Sequence, residues 1–253
     1  MQKILGYVRR ACREFDLIQN GDRIAVGVSG GKDSLVLLAA LTKMRLFSEY
    51  DYGVHAVTLD PCFSGGGDFD GVGRFCDRLN VPFTLIRTDI AEIVFNIRKE
   101  HNPCSLCAKM RRGALHDAAK AAGCNKIALA HSYDDVIETF MMNLFKEGRI
   151  GCFSPKSYLS RKDLTLIRPL VFAPESAVVG CCKRNGFEII KSPCPVDKKT
   201  YRQKTKEFLR QKEYEDGGFK HRIFTALRKS GVNGWGFAPC TGTDKGFAND
   251  CKS

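Results

Sequence analysis

The chain has 253 residues, 43% of them hydrophobic, enough for one large α/β domain or a domain with an appendage. No stretch approaches the ~20 apolar residues of a membrane span, and the N-terminus lacks the apolar core of a signal peptide. A formal charge of +12 points to a polyanionic partner, foremost a nucleic acid; the alternative is charge for solubility alone.

Taken in chain order, residues 3–18 read as an amphipathic helix, and the apolar run 23–28 as a buried strand. A helix follows over 33–47, a strand over 53–60, a Gly-rich turn over 64–71 and a helix around 72–79. Next come a strand (83–89), a helix (90–100) and a helix in the second half of 101–124, stopped by Gly123. A strand is expected over 126–132, then a helix that Gly148 ends. A fifth strand is expected over 164–170, a helix over 175–186 and a sixth strand over 187–194. Two basic helices occupy 200–215 and 221–231. Alternating strand and helix predicts a mainly parallel sheet covered on both faces, with ligands beyond the carboxyl ends of its strands. Ser29 onward, Asp60, His131 and Cys194 all fall at such ends. Three segments follow: an α/β domain over 1–196, a basic helical segment over 197–231 and a flexible Gly-rich tail over 232–253. Between Lys198 and Lys229, eleven Lys/Arg face four acids, more than half of the chain's net charge.

The stretch "SGGKDS" (29–34) joins the first strand to its helix. A Walker loop needs a glycine where Val26 stands and Ser or Thr where Asp33 stands, so that reading fails twice. The physics of an anion site remains. Gly30 and Gly31 allow close backbone approach, helix N-terminal amides carry positive partial charge, and Ser29, Ser34 and Lys32 add donors. Asp33 is a metal ligand or a cap. A plain strand–helix turn explains the glycines but not Lys32 together with two serines.

In this position "SGGKDS" resembles the PP-loop of the ATP pyrophosphatase superfamily. That resemblance implies an adenine-nucleotide-binding α/β fold, bound ATP with Mg²⁺, and activation of an oxygen by adenylation with pyrophosphate release.

The chain has twelve cysteines, and the expected compartment is the reducing cytoplasm, where cysteines mean metal or catalysis rather than disulfides. Cys76, Cys124, Cys152, Cys181 and Cys182 sit in mixed apolar contexts and read as small core residues. Cys104 and Cys107, in C-x2-C spacing just before a helix, can hold one metal or one edge of a cluster. No second C-x2-C follows, so a four-cysteine zinc ribbon has no support; three cysteines and a histidine could still bind zinc. The next plausible ligand is Cys194, in "KSPCP".

"C-x2-C-x3-RRG", "SGGKDS", "AHSYDDVIETFMMNLF", "IRPL" and "PCP" together resemble the TtcA/TtuA family of tRNA thiolases, closest to the TtcA or tRNA 2-thiocytidine synthase branch, over roughly residues 20–215. The resemblance implies a [4Fe-4S] cluster on Cys104, Cys107 and Cys194, with one iron free of protein ligands and Cys194 close to the chemistry. It places His131 and Asp135 beside the ATP phosphates, His131 orienting substrate or nucleotide and Asp135 holding Mg²⁺ or acting catalytically. Asp134 and Asp135 otherwise only cap a helix. Arg111 and Arg112 suit phosphate contacts. Asp60 either meets the adenosine or caps a turn, and backbone groups of Thr58 or Leu59 read the adenine edge. One departure is Asp197, where the family often has a further cysteine.

The expected activity is ATP-dependent thiolation of a tRNA base, cytidine by resemblance, with Lys32 stabilising phosphate charge. The expected partners are tRNA and a sulfur donor, either sulfide or a cysteine desulfurase; no membrane is involved, and a homodimer is left open. The rivals are a PP-loop enzyme moving sulfur on a small molecule and a zinc-stabilised RNA-binding module. Lysidine-type amidation gives the cysteines no role.

Overall fold

A computed structural model describes residues 1–63, 69–98, 103–190 and 201–236. Its centre is a six-stranded sheet: β1 (Asp22–Gly27), β2 (Tyr52–Asp60), β3 (Phe83–Arg87), β4 (Lys126–Ala128), β5 (Lys156–Leu159) and β6 (Leu164–Ile167). The spatial order is β3-β2-β1-β4-β6-β5, parallel except for the β5–β6 pair at one edge. The chain builds outward from β1 through β2 to β3, then returns to the other side of β1 with β4. The switch point therefore lies between the carboxyl ends of β1 and β4, where open α/β sheets bind ligands.

The central strands are apolar on both sides because both sides are covered. Ile24 and Val26 of β1 pack with Ala128 into one core, which also takes residues from α1 (Gln2–Glu14), α2 (Lys32–Met44), α3 (Asp70–Arg78), α5 (Tyr133–Glu147) and α6 (Glu175–Arg184). Ala25, Val57 and Ile127 turn the other way and meet α4 (Pro103–Ala121) through Ala118 and Ala119. This is the period-two alternation of a strand between two layers. On α1, Ile4, Leu5, Val8, Ala11 and Cys12 form the buried stripe that helical spacing requires.

The basic helices α7 (Tyr201–Glu215) and α8 (Phe219–Ser230) join the first core through Leu209, Phe224 and Leu227. Trp235 is fully buried there, and its Nε1–H donates to the Phe153 carbonyl at 2.7 Å. Residues 232–236, expected as the start of a flexible tail, thus close the core. Burial of an indole outweighs the turn-forming glycines around it. Cys76, Cys124, Cys152, Cys181 and Cys182 are buried, as their contexts suggested.

Three other expectations need correction. The strand expected over 187–194 is not one over 187–190: Gly186 has φ +61°, and the Ile190 N–H donates to the Gly30 carbonyl rather than to a ladder. The sixth strand is instead β5, which forms a hairpin with β6 around Asp163, at φ +47°. The helix expected over 90–100 is helical in its described part but differs in winding, running as a π-helix over Glu92–Ile97. The strands expected over 126–132 and 164–170 end at Ala128 and Ile167, leaving His131 and Arg168 in the connections that follow. No described helix is long and apolar enough to cross a membrane.

Candidate active site

The loop after β1 is pinned from both sides. The Val28 N–H donates to the Val57 carbonyl at 2.8 Å, and Thr58 Oγ1 donates to the Val28 carbonyl at 2.7 Å. Gly30 has φ +78°, and a Cβ there would lie 2.8 Å from Cβ of Ile190. Both conformation and space demand glycine. Ser34 Oγ donates to the Gly31 carbonyl at 2.9 Å and accepts from the Ser29 N–H at 3.2 Å, locking the turn. Gly31 is the N-cap of α2, and no side chain caps that helix. Apart from the Gly31 N–H, which donates to Ser29 Oγ at 3.4 Å, the helix N-terminus meets no side-chain acceptor, the arrangement that suits phosphate.

Lys32 Nζ lies 2.8 Å from Asp33 Oδ2 and 3.2 Å from Glu175 Oε1. Burial alone would lower its pKa, but the two carboxylates outweigh that and raise it. Lys32 is therefore fully charged at neutral pH. Burial raises the Asp33 carboxyl, against the opposing pull of Lys32. Glu175 opens α6 behind Pro174, and Lys206 of α7 binds it at 2.7 Å. Burial pushes Glu175 up, yet Lys206 and Lys32 together hold it below the usual range.

The loop after β4 faces this one. Ser132 caps α5 in a reciprocal box: its Oγ accepts from the Asp135 N–H, while Asp135 Oδ2 accepts from the Ser132 N–H at 2.8 Å. That leaves Asp135 Oδ1, which Arg202 of α7 approaches at 3.4 Å. Arg202 also lies 3.3 Å from Glu138. Asp134 turns away: Oδ2 accepts from the Glu175 N–H at 2.7 Å, and Oδ1 pairs with Lys220 of α8 at 2.7 Å. His131 accepts at Nδ1 from Arg168 Nε, at 3.2 Å. Burial first and the Arg168 charge second depress its pKa to about 4, so the imidazole is neutral.

Cys104 and Cys107 lie within the first five residues of α4 rather than ahead of it; Cys104 is exposed and Cys107 half-buried. Three residues apart on a helix, they share one face, a spacing that fits two ligands of one metal or cluster. Cys194 lies outside the described residues; Ile190, four residues before it, is hydrogen-bonded to the loop at Gly30. For Mg²⁺ the fit is Oδ1 of Asp135, whose described partner is Arg202 at 3.4 Å, with Asp33 near enough to feel its charge. Mg²⁺ commonly takes one or two protein carboxylates and completes its shell with substrate phosphates and water. Among the described residues no group of three or more His, Cys, Asp and Glu forms a preassembled metal site. Arg111 and Arg112 are exposed on α4.

The PP-loop domain family matches residues 7–213. The chain is 35% identical over 229 residues to a tRNA-cytidine(32) 2-sulfurtransferase of Geobacter sulfurreducens, covering 89% of each chain. It is 38% identical over 224 residues to the protein of that name from Pelobacter propionicus, covering 87% of this chain and 82% of the relative. This chain belongs to the PP-loop family of tRNA-cytidine(32) 2-sulfurtransferases. Its fold also matches the U34-tRNA thiolase NcsA from Methanococcus maripaludis, solved with its [4Fe-4S] cluster. The TM-score is 0.74 at 24% identity, over 90% of this chain and 78% of that one.

Within this PP-loop protein the sheet brings Ser29, Gly30, Gly31, Lys32, Asp33 and Ser34 to the same switch point as His131 and Asp135. Asp60 is different. Its Oδ1 accepts from the Cys62 N–H at 2.8 Å, so the side chain holds a turn in which Cys62 has φ +57°. Sequence reasoning missed Glu175, Arg202, Lys206 and Lys220. The one local signal was the i, i+4 spacing of Arg202 and Lys206, which puts both on one face of α7.

Proposed function

We propose that this chain is an ATP-dependent tRNA sulfurtransferase that replaces the carbonyl oxygen of a cytidine with sulfur. The carrying observation is the PP-loop at the switch point with Lys32 held charged at its mouth, in a chain that aligns along most of its length with tRNA-cytidine(32) 2-sulfurtransferases. The cytidine oxygen attacks the α-phosphorus of ATP; the bond to the pyrophosphate oxygen breaks and an adenylated base forms. Sulfur then adds at the activated carbon, and AMP leaves with the former carbonyl oxygen.

The 29–34 loop and the α2 N-terminus cradle the departing pyrophosphate, and Lys32 stabilises the charge that grows on it. Asp135 Oδ1 would hold Mg²⁺ in place of its contact with Arg202, and the ion would neutralise phosphate charge. Cys104, Cys107 and Cys194 would hold a [4Fe-4S] cluster, which would supply iron able to bind sulfide. The basic helices α7 and α8 attract the tRNA backbone, an attraction that weakens as salt rises. The sulfur enters at the sulfide level, as hydrosulfide; if it comes from the persulfide of a cysteine desulfurase, a thiol reductant must first supply two electrons to release it.

Anaerobically purified protein tests this reading. Pyrophosphate release from ATP should require tRNA and fall by about 10²–10³-fold in Lys32→Met. Cys104→Ser should keep release but abolish thiolation and lower the iron content. Zinc without iron, together with no tRNA-stimulated pyrophosphate release, would overturn the proposal in favour of a zinc-stabilised RNA-binding module.

A further inference from the structure

Arg168 follows β6 directly and is buried, with a relative exposure of 7%. Its Nη1 donates to the Ser154 carbonyl, its backbone N–H donates to the Pro155 carbonyl at 3.0 Å, and its guanidinium lies 4.9 Å from the Phe153 ring centre. Phe153 in turn is 4.7 Å from the His131 ring, and its carbonyl is held by Trp235. The fork is thus held by Ser154 and Phe153, and its remaining described hydrogen bond is the Nε–H donated to His131 Nδ1 at 3.2 Å.

A guanidinium has donors and no acceptor. The nitrogen it addresses must therefore present a lone pair, and the proton of a neutral imidazole must sit on the other nitrogen. His131 Nε2 makes no hydrogen bond to any described residue. The charged groups around the ring are Arg168 beyond β6, Asp135 of α5 and Arg202 of α7; Arg112 of α4 acts on Arg168 in turn.

We propose that Arg168 is a positioning residue that fixes His131 as the Nε2–H tautomer, making the imidazole a neutral hydrogen-bond donor to a substrate oxygen rather than the base of the reaction. The assignment of that oxygen to the substrate rests on the adenylation reading; the tautomer does not. A base at His131 would need a lone pair facing the substrate, and Arg168 occupies the one that exists. A neutral donor suits an oxygen that gains negative charge as pyrophosphate departs, because it stabilises that charge without first being neutralised by a carboxylate.

Nitrogen-15 NMR of the imidazole in the full-length protein tests this without any turnover. At neutral pH the wild-type His131 should carry its proton on Nε2. Arg168→Met should give mixed tautomers and a pKa shifted up toward the ordinary histidine range. Arg168→Gln, which can keep an N–H donor without the charge, should restore the Nε2–H form. In kinetics, Arg168→Met should lower kcat for tRNA-dependent pyrophosphate release by roughly tenfold or more with KM for ATP little changed. A proton on Nδ1, or an imidazolium, in the wild type at neutral pH would overturn the proposal, even if the variants fail to fold. So would an unchanged tautomer in Arg168→Met. A correct tautomer without tRNA-dependent pyrophosphate release would uphold the positioning role and count against the adenylation reading instead.

Discussion

The two ends of the sheet use the same chemistry to opposite ends. At the amino ends of β1 and β4, Lys126 pairs with Asp22 at 2.7 Å, both almost fully buried. The Gln19 N–H and Asn125 Nδ2 donate to Asp22 at 2.6 and 2.8 Å, and Lys126 donates to the Leu17 carbonyl at 2.9 Å. Neutral backbone and amide groups close this network. At the carboxyl ends, Lys32, Asp33, Glu175 and Lys206 are each about a quarter to a third exposed and satisfy chiefly one another. A closed network cannot change partners without breaking the fold. The open one can exchange a carboxylate for a phosphate at small cost.

The contrast can be broken most severely at the closed end. Asp22→Asn leaves the Lys126 ammonium buried without a counter-charge and should cost about 3–5 kcal/mol in denaturant unfolding. The pyrophosphate-releasing kcat of the folded fraction should be unchanged. At the open end the effects should invert. Lys32→Met should cut turnover by about 10²–10³-fold, the scale of a lost transition-state donor. Its stability should shift by no more than about 1 kcal/mol, because its ion pairs are partly solvated.

Acid should also distinguish the ends. His131 titrates at about 4 in the folded protein against 6.5 unfolded, so the unfolded state takes up the proton first. Its contribution to stability is complete above pH 6.5 and is lost as pH falls towards 4. The slope is at most about 1.4 kcal/mol per pH unit. Unfolding curves of His131→Gln should lack that component. The smallest effect is expected from Glu175→Gln. Freed of its carboxylate, the Lys32–Lys206 pair should bind inorganic pyrophosphate up to about fivefold more tightly, equivalent to about 1 kcal/mol, by calorimetric titration. Weaker binding would mean that Glu175 holds the lysines in place more than it competes with phosphate.

What was legible in the sequence follows local physics. The loop at 29–34, the α5 start and its Gly148 stop, and the buried stripe of α1 carry their own spacing rules. Apolar runs were less decisive: "FEII" has strand composition, but the Ile190 N–H goes to the Gly30 carbonyl. The short, mostly polar "KSYL" became a strand because β6 offered an edge. Glu175, Arg202 and Lys206 were invisible as site residues. Only the docking of α7 against α5 and α6 brings their charges to the switch point. Trp235 was obscured by its Gly-rich surroundings, although its burial ties the last described turn to Phe153 and so to His131.

The central claim is that activation at the loop serves sulfur insertion into tRNA. Nucleoside mass spectrometry tests it most directly, on tRNA incubated anaerobically with the protein, ATP, Mg²⁺ and sulfide. The account predicts 2-thiocytidine with the wild type, formation slowed by about 10²–10³-fold with Lys32→Met and none with Cys107→Ser. Active, iron-loaded protein that leaves the thionucleoside profile of the tRNA unchanged would contradict it.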